Sequence, residues 1–272
     1  MQQGWTDVPY ELPNLRVENG PAPAYVRIGC FRSVADIYQA FAVQSFTDEL
    51  AANANADRIQ YALELIGPPR KIDLKDLGVE YPNYDASLAE YPVDTARPRH
   101  VIEQAAEKSV WGKEKSGNGV GYGFAAHRSF LTYVACVVKV EVNPDGDISI
   151  PQVDYVIDAG TVVNSNRTKS QFEGAAVFGT SIARYGEITA KNGAIEQSNF
   201  NDYQVAGSPR RRAKLTSTSW RMMLRPRASA NPGCPRSLPH SAMQFSQQPE
   251  SASENYRCRS KTSASRQRAN VS

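Results

Sequence analysis

Two places in this 272-residue chain carry side chains whose types and spacing could do chemistry. The first is Asp158–Tyr203. A strand ends at Asp158, the loop Ala159-Gly160-Thr161-Val162-Val163-Asn164 follows, and a helix opens near Ser165 with Gln171, Glu173 and Gly174 on its first turns. A helix start behind a Gly-bearing loop offers unpaired backbone N–H groups and the positive end of the helix dipole, which hold an anion or a phosphate. Any strand–loop–helix does as much, so the stretch alone names no ligand. The second place is Arg32, in Cys30-Phe31-Arg32-Ser33-Val34 ahead of a helix. Its planar, permanently charged fork suits a phosphate and equally suits an ordinary surface position, and both readings stay open.

Other candidates lead nowhere. His100 opens a helix with no nucleophile or carboxylate pair beside it, and His127 falls between strands, where packing or an edge position is its ordinary role. Gly117–Gly123 (GNGVGYG) lacks the GxGxxG spacing, a following Lys-Ser/Thr and a clear helix, so no phosphate loop is expected there. Cys30, Cys136, Cys234 and Cys258 have no metal-ligand spacing, so neither a zinc site nor a disulfide framework is expected.

The elements that must position these residues follow from periodicity and punctuation. Met1–Val34 is loop-rich, with Pro9, Pro13, Pro21 and Pro23, and should lie against something larger. From Ala35 to about Asn53 a helix is predicted, with Ile37, Ala40, Phe41, Val43, Phe46 and Leu50 as its apolar face and Gln39, Asp48 and Glu49 outside. Asp57–Ile66 is a short helix capped by Asp57 and stopped by Gly67-Pro68-Pro69. Residues 70–97 resemble a surface connection, and Pro98–Val110 is a helix with Val101, Ile102, Ala105 and Ala106 inward. Strands are predicted over Phe124–His127, Phe130–Val142 and Ile148–Asp158, the last two joined by the turn Asn143-Pro144-Asp145-Gly146. Val134, Cys136, Val138 and Val140 alternate as in a half-buried antiparallel pair. After the 165–184 helix, Lys191-Asn192-Gly193 marks a hairpin. The fold class is α+β, with mixed sheets of hairpins packed with helices.

Charge divides the chain. From Gly207 to the end there are 13 Lys/Arg against 2 Asp/Glu, a net +11, while residues 1–206 hold 18 against 26, a net −8. A basic tail on an acidic domain ordinarily points to nucleic acid or an acidic membrane surface. No run approaches the roughly 20 apolar residues of a transmembrane helix, and Met1 is not followed by a signal-peptide pattern. No localisation can be read.

The order of these pieces resembles the molybdenum-binding large subunit of the xanthine dehydrogenase/aldehyde oxidase family, in the branch of the isoquinoline 1-oxidoreductase β-subunit. The residues that carry the resemblance are Val8-Pro9-Tyr10, Asn14–Glu18, Arg32-Ser33-Val34, Ala40-Phe41-Ala42 and Ser45–Ala51. They continue with Ala106-Glu107-Lys108, Trp111-Gly112, Val156–Gly160 with Asn164, Gln171-Phe172-Glu173-Gly174, Gly186–Thr189 and Gln197–Tyr203, covering about residues 5–206. The resemblance implies hydroxylation of an N-heteroaromatic or aldehyde carbon with water-derived oxygen. A molybdenum–molybdopterin cofactor (the cytosine dinucleotide form in bacterial relatives) would do this, and electrons would leave through a small subunit with two 2Fe–2S clusters. It also implies that Asp158, Asn164, Gln171 and Gly174 cradle the pterin, and that Arg32, Ser33 and Val34 approach the molybdenum end. Side-chain amides, backbone donors and little bulk suit such a cofactor.

Three departures stand out. Ala35 replaces the branch's usual Gly, which matters if that position needs φ > 0. Relatives have several hundred residues ahead of this point, so the resemblance implies that residues 1–206 are a partial molybdopterin-binding domain whose partner is the missing N-terminal part. Third, the family's Gly-Glu-Pro-Gly segment, whose glutamate is the catalytic base, is absent, so no catalytic residue is expected in this chain. Back-translation accounts for that absence. Read from the last base of each codon through the first two of the next, Arg227 onward can encode Gly-Val-Gly-Glu-Pro-Gly-Val-Pro-Pro, the glutamate codon straddling Ala230 and Asn231. About thirty consecutive residues are compatible with the family's C-terminal segment in that one frame. A frame slip near Ala206–Ser208 is expected, which removes nucleic acid as a partner and makes 207–272 a basic, disordered out-of-frame tail.

Overall fold

Local chemistry sets the helix ends. Asp57 caps α2 (Arg58–Ile66) by accepting from the N–H groups of Ile59 and Gln60, both at 3.0 Å, and Gly67 closes it at φ +70°, as predicted. Distant arginines complete that end: Arg99 donates to the carbonyls of Leu63 and Gly67 at 2.8 and 2.7 Å, and Arg70 donates to that of Ile66. Cations there also suit the negative end of the helix dipole. Asn164 caps α4 (Ser165–Tyr185) through the N–H of Arg167 at 3.0 Å. The computed structural model describes residues 4–18, 20–23, 29, 32–76, 78, 83, 87–114 and 116–206, with the backbone of Ser219–Leu224.

At the centre lies a four-stranded mixed sheet in the order β3 (Val120–Ser129), β4 (Thr132–Val142), β5 (Ile148–Asp158) and β8 (Ser219–Leu224). The first three form an antiparallel meander and β8 runs parallel to β5. Helices cover both faces. Tyr133, Ala135 and Val137 of β4 pack with Ile59 and Leu63 of α2 and with Val101 and Ile102 of α3 (Ala96–Lys108). Val134, Cys136, Val138 and Val140 pack on the other side with Phe172 and Ala176 of α4. This is the α+β class expected from the sequence. The expected half-buried alternation of β4 does not occur, because helices on both faces bury every residue from Thr132 to Val138.

Other segments also depart from expectation. Phe130, expected inside a strand, instead forms a two-residue turn with Leu131 at φ +46° and +68°, a type I′ geometry without its usual Asn or Gly. Gly117 and Val120 exchange 2.9 Å backbone hydrogen bonds, so Gly117–Gly123 is a turn leading into β3 and not a ligand loop. The 70–97 connection contains a ribbon of β1 (Lys71–Ile72) and β2 (Val93–Asp94) over Leu74. The Asn192-Gly193 hairpin forms as predicted, with β6 (Ala190–Lys191) and β7 (Ala194–Ile195) only two residues each. Within the tail expected to be disordered, Ser219–Leu224 is a strand, and its other residues lie outside the described ones. An open edge of β5 offers unpaired backbone groups that a strand-compatible segment can satisfy.

The largest reversal is in α1 (Asp36–Asn53). The helix forms where predicted, yet Phe41 and Phe46 of its expected inner face are 55% and 61% exposed, and Gln39 and Asp48 of its expected outer face are buried. Neighbours supply polar partners to the buried face. The Tyr10 hydroxyl bonds the Thr47 hydroxyl at 3.0 Å and accepts from Gln44 at 3.3 Å, and Asp48 pairs with Arg58 at 3.4 Å. The Pro-punctuated N-terminal segment that brings Tyr10 lies against the core, with Glu11 N–H donating to the Leu65 carbonyl at 2.6 Å.

Candidate functional site

Arg32 and Gln171, 139 residues apart, meet. One Nη2 of Arg32 donates to the Gln171 main-chain carbonyl at 3.1 Å and to its Oε1 at 3.3 Å. The arginine is half-buried, and burial draws its guanidinium below the ordinary value, an effect that Tyr155 opposes. Gln171 is exposed, while the next residue, Phe172, is buried against Tyr155 with ring centres 5.5 Å apart. A helix turns about 100° per residue, so anchoring Phe172 to the sheet aims Gln171 along the outer face of α4. With Oε1 bonded to Arg32, Gln171 still offers its amide N–H₂ as a donor.

Ser33 and Val34 shape the turn before α1. Their φ angles are +74° and +51°, and a β-branched residue there is a genuine outlier that stores strain. Ala35 sits at φ −74°, so the glycine-like conformation suspected at that position lies one and two residues earlier, where the missing Gly is no handicap. The turn is pinned from behind. The Asp36 carboxylate, 1% exposed, bonds His127 Nε2 at 3.0 Å and accepts from the Ser129 hydroxyl. His127 is therefore the packed histidine expected.

The α4 side of the site is less uniform. Asn164 uses its side-chain oxygen to cap α4. Gly174 is exposed, and a Cβ built there meets nothing within 4 Å among the described residues, so its small size leaves open surface beside Gln171. Asp158 is buried, and both carboxylate oxygens are taken by Arg97, at 2.8 Å from Nε and 2.9 Å from Nη2. Asp158 thus faces inward, toward a residue that the sequence did not single out. Arg97's only local signal is a cation in the first turn of a helix, at the end the dipole disfavours. Among the described residues no cluster of three or more His, Cys, Asp or Glu could hold a metal, and no helix is long and apolar enough to cross a membrane.

Residues 48–209 match the molybdopterin cofactor-binding domain family. The chain belongs to that family. It is a molybdopterin-binding member of the xanthine dehydrogenase family. Over 211 residues it is 28% identical to the membrane-bound aldehyde dehydrogenase (pyrroloquinoline-quinone) of Gluconacetobacter polyoxogenes, covering 74% of this chain and 26% of that one. It is 25% identical to the beta subunit of isoquinoline 1-oxidoreductase of Brevundimonas diminuta, over 73% of this chain and 22% of that one. It is 24% identical to the second, B, subunit of nicotinate dehydrogenase of Pseudomonas putida, over 74% and 16%. The chain therefore spans about a quarter or less of these relatives' length. Among solved structures, quinoline 2-oxidoreductase from Pseudomonas putida 86 aligns with 41% of this chain and 14% of that one, at 20% identity and a TM-score of 0.33. Within a molybdopterin-binding domain, the exposed amide of Gln171, the charged fork of Arg32 and the uncrowded surface at Gly174 are donors and space of the kind a pterin with a phosphate tail requires.

Proposed function

We propose that this chain is one wall of the cofactor pocket of a molybdenum hydroxylase large subunit, and that the whole protein hydroxylates an N-heteroaromatic or aldehyde carbon. The Arg32–Gln171 contact carries the reading: it brings to one spot the two motifs, 139 residues apart, that resemble the family's cofactor-binding segments. When bound, a molybdenum–molybdopterin cofactor, as its cytosine dinucleotide in this reading, supplies oxygen transfer from water and passes the electrons to iron–sulfur clusters on a partner subunit. This chain's own residues bind and orient. Gln171 donates its amide to the pterin, the first turn of α4 and the 159–164 loop present backbone N–H groups to the phosphate side, and Arg32 fixes Gln171 while adding positive charge. Ser33 and Val34 hold Arg32 in place through their left-handed backbone. The quinone in the Gluconacetobacter relative's name is not carried over, because the family match over 48–209 is to a molybdopterin domain.

A non-catalytic remnant is the second reading, and a specific observation favours it for the isolated chain: no Gly-Glu-Pro-Gly segment occurs in the sequence. Without that glutamate a proton acceptor is missing from the reaction. The exposed aromatic face of α1, with Tyr38, Phe41 and Phe46 all more than half exposed, supports a longer parent polypeptide that covers it.

Expression in a host that makes the cofactor, followed by molybdenum analysis and pterin fluorescence, tests the binding reading. Wild type should retain pterin and Gln171→Ala should lose most of it; absence of pterin from both overturns the reading. No turnover of N-heterocycles or aldehydes with a dye acceptor is expected until the glutamate is restored. The gene's nucleotide sequence decides the frame slip, which fails unless the shifted frame encodes Gly-Glu-Pro-Gly.

A further inference from the structure

We infer that Arg97 is the positioning residue that fixes the 159–164 loop, acting through Asp158 and Gly160. The inference rests on the reading above only in assigning that loop to the cofactor pocket; the tether itself stands on geometry. Arg97 grips Asp158 at three points: Nε to Oδ2 at 2.8 Å, Nη2 to Oδ1 at 2.9 Å, and Nη2 to the main-chain carbonyl at 3.1 Å. Such a two-pronged, side-by-side pairing fixes direction as well as distance. The guanidinium also lies 4.4 Å from the centre of the Tyr133 ring. Tyr133 is itself locked: it is 1% exposed, pairs with Asp158 across β4 and β5, and its hydroxyl accepts from the Asp94 N–H at 3.1 Å. The fork is held between an aromatic plate and a carboxylate.

From Asp158 the constraint passes into the loop. Its Oδ1 also accepts from the Gly160 N–H at 3.3 Å, and Gly160 turns the chain at φ +73°. At the far end Asn164 caps α4, whose second turn carries Gln171. Between these two anchors, Thr161, Val162 and Val163 make no hydrogen bond to other described residues, and Val163 is 87% exposed. Each end of the loop therefore has one tether, and Arg97 secures the one at β5. Its location argues the same way. Arg97 stands in the first turn of α3, where a cation opposes the helix dipole, so it contributes nothing to α3 that a neutral residue would not. Lysine could not replace it, since one ammonium cannot span both carboxylate oxygens in fixed geometry.

Hydrogen exchange on the full 272-residue chain, by mass spectrometry, tests this. Arg97→Ala should raise amide exchange over residues 160–164 at least tenfold while β3 and β4 keep wild-type protection. Arg97→Lys should fall between the two, and Gln171→Ala should leave loop exchange unchanged. Unchanged loop exchange in Arg97→Ala overturns the inference. Where that variant loosens globally because Asp158 is left charged and unpaired, Arg97→Ala/Asp158→Asn removes the charge as well as the tether. Faster exchange confined to the loop in the double variant supports the inference. Equal loss of protection in β3 and β4 makes Arg97 a general stabiliser and overturns it. Pterin content of wild type and Gln171→Ala bears on the pocket reading separately, and its failure leaves the exchange result standing.

Discussion

Raising the pH through about 6 should unload stability from the junction of α1 and α2. Asp48 lies on the buried face of α1 with its side chain 5% exposed and Arg58 at 3.4 Å. Burial raises its carboxyl from 3.8 to about 6, and the attraction of Arg58, which acts in the opposite direction, is too weak to prevent it. In the unfolded chain the carboxyl returns to its ordinary value, so the folded state binds the proton more tightly. The resulting stabilisation is complete below about 3.8 and is lost as pH rises through about 6. At about 1.4 kcal/mol per pH unit separating the two values, the loss by pH 8 is about 3 kcal/mol. An amide of the same shape does not titrate, so Asp48→Asn should escape it. Urea unfolding at pH 4, 6 and 8, followed by circular dichroism, should show the variant gaining about 2–3 kcal/mol on wild type between the extremes. Arg58→Ala removes the opposing charge and should move the wild-type decline to lower stability at pH 8 without changing pH 4. Parallel curves for wild type and Asp48→Asn across this range would refute the reasoning, because the charge would then carry no desolvation cost.

Three further outcomes follow from packing. Gly119→Ala places a methyl 2.2 Å from the Val142 carbonyl oxygen at φ +82°, and should cost more than about 1 kcal/mol, read as a Tm fall of several degrees. Gly174→Ala should do the reverse in the cofactor-free chain, adding up to about 1 kcal/mol of helix stability, while lowering retained pterin where the methyl enters the pocket. Phe172→Ala should cost about 3–5 kcal/mol and release α4 from the sheet, whereas Phe41→Ser and Phe46→Ser should change stability by less than about 0.5 kcal/mol and reduce self-association in sedimentation.

What the sequence determined by itself is the part of the fold whose signals are satisfied within a few residues. Asp57 and Gly67 bound α2, Asn192-Gly193 turns the hairpin, and Asn164 opens α4, each through hydrogen bonds or backbone angles spanning no more than one turn. The family motifs were legible for the same reason, as short strings around Arg32 and Gln171. The tertiary structure alone decided the rest. The pattern of α1 marks an apolar face, but which face turns inward depends on Tyr10, Arg58, His127 and Ser129, contributed from well outside the helix. A motif likewise suggests that Asp158 matters without revealing that Arg97, 61 residues earlier, takes both its oxygens. The burial of β4 on two sides needed the placement of α4. A local signal is read from residues that are neighbours in the chain, whereas a buried charge is satisfied by whatever residue the fold brings within about 3 Å, and no periodicity in the chain records that distance.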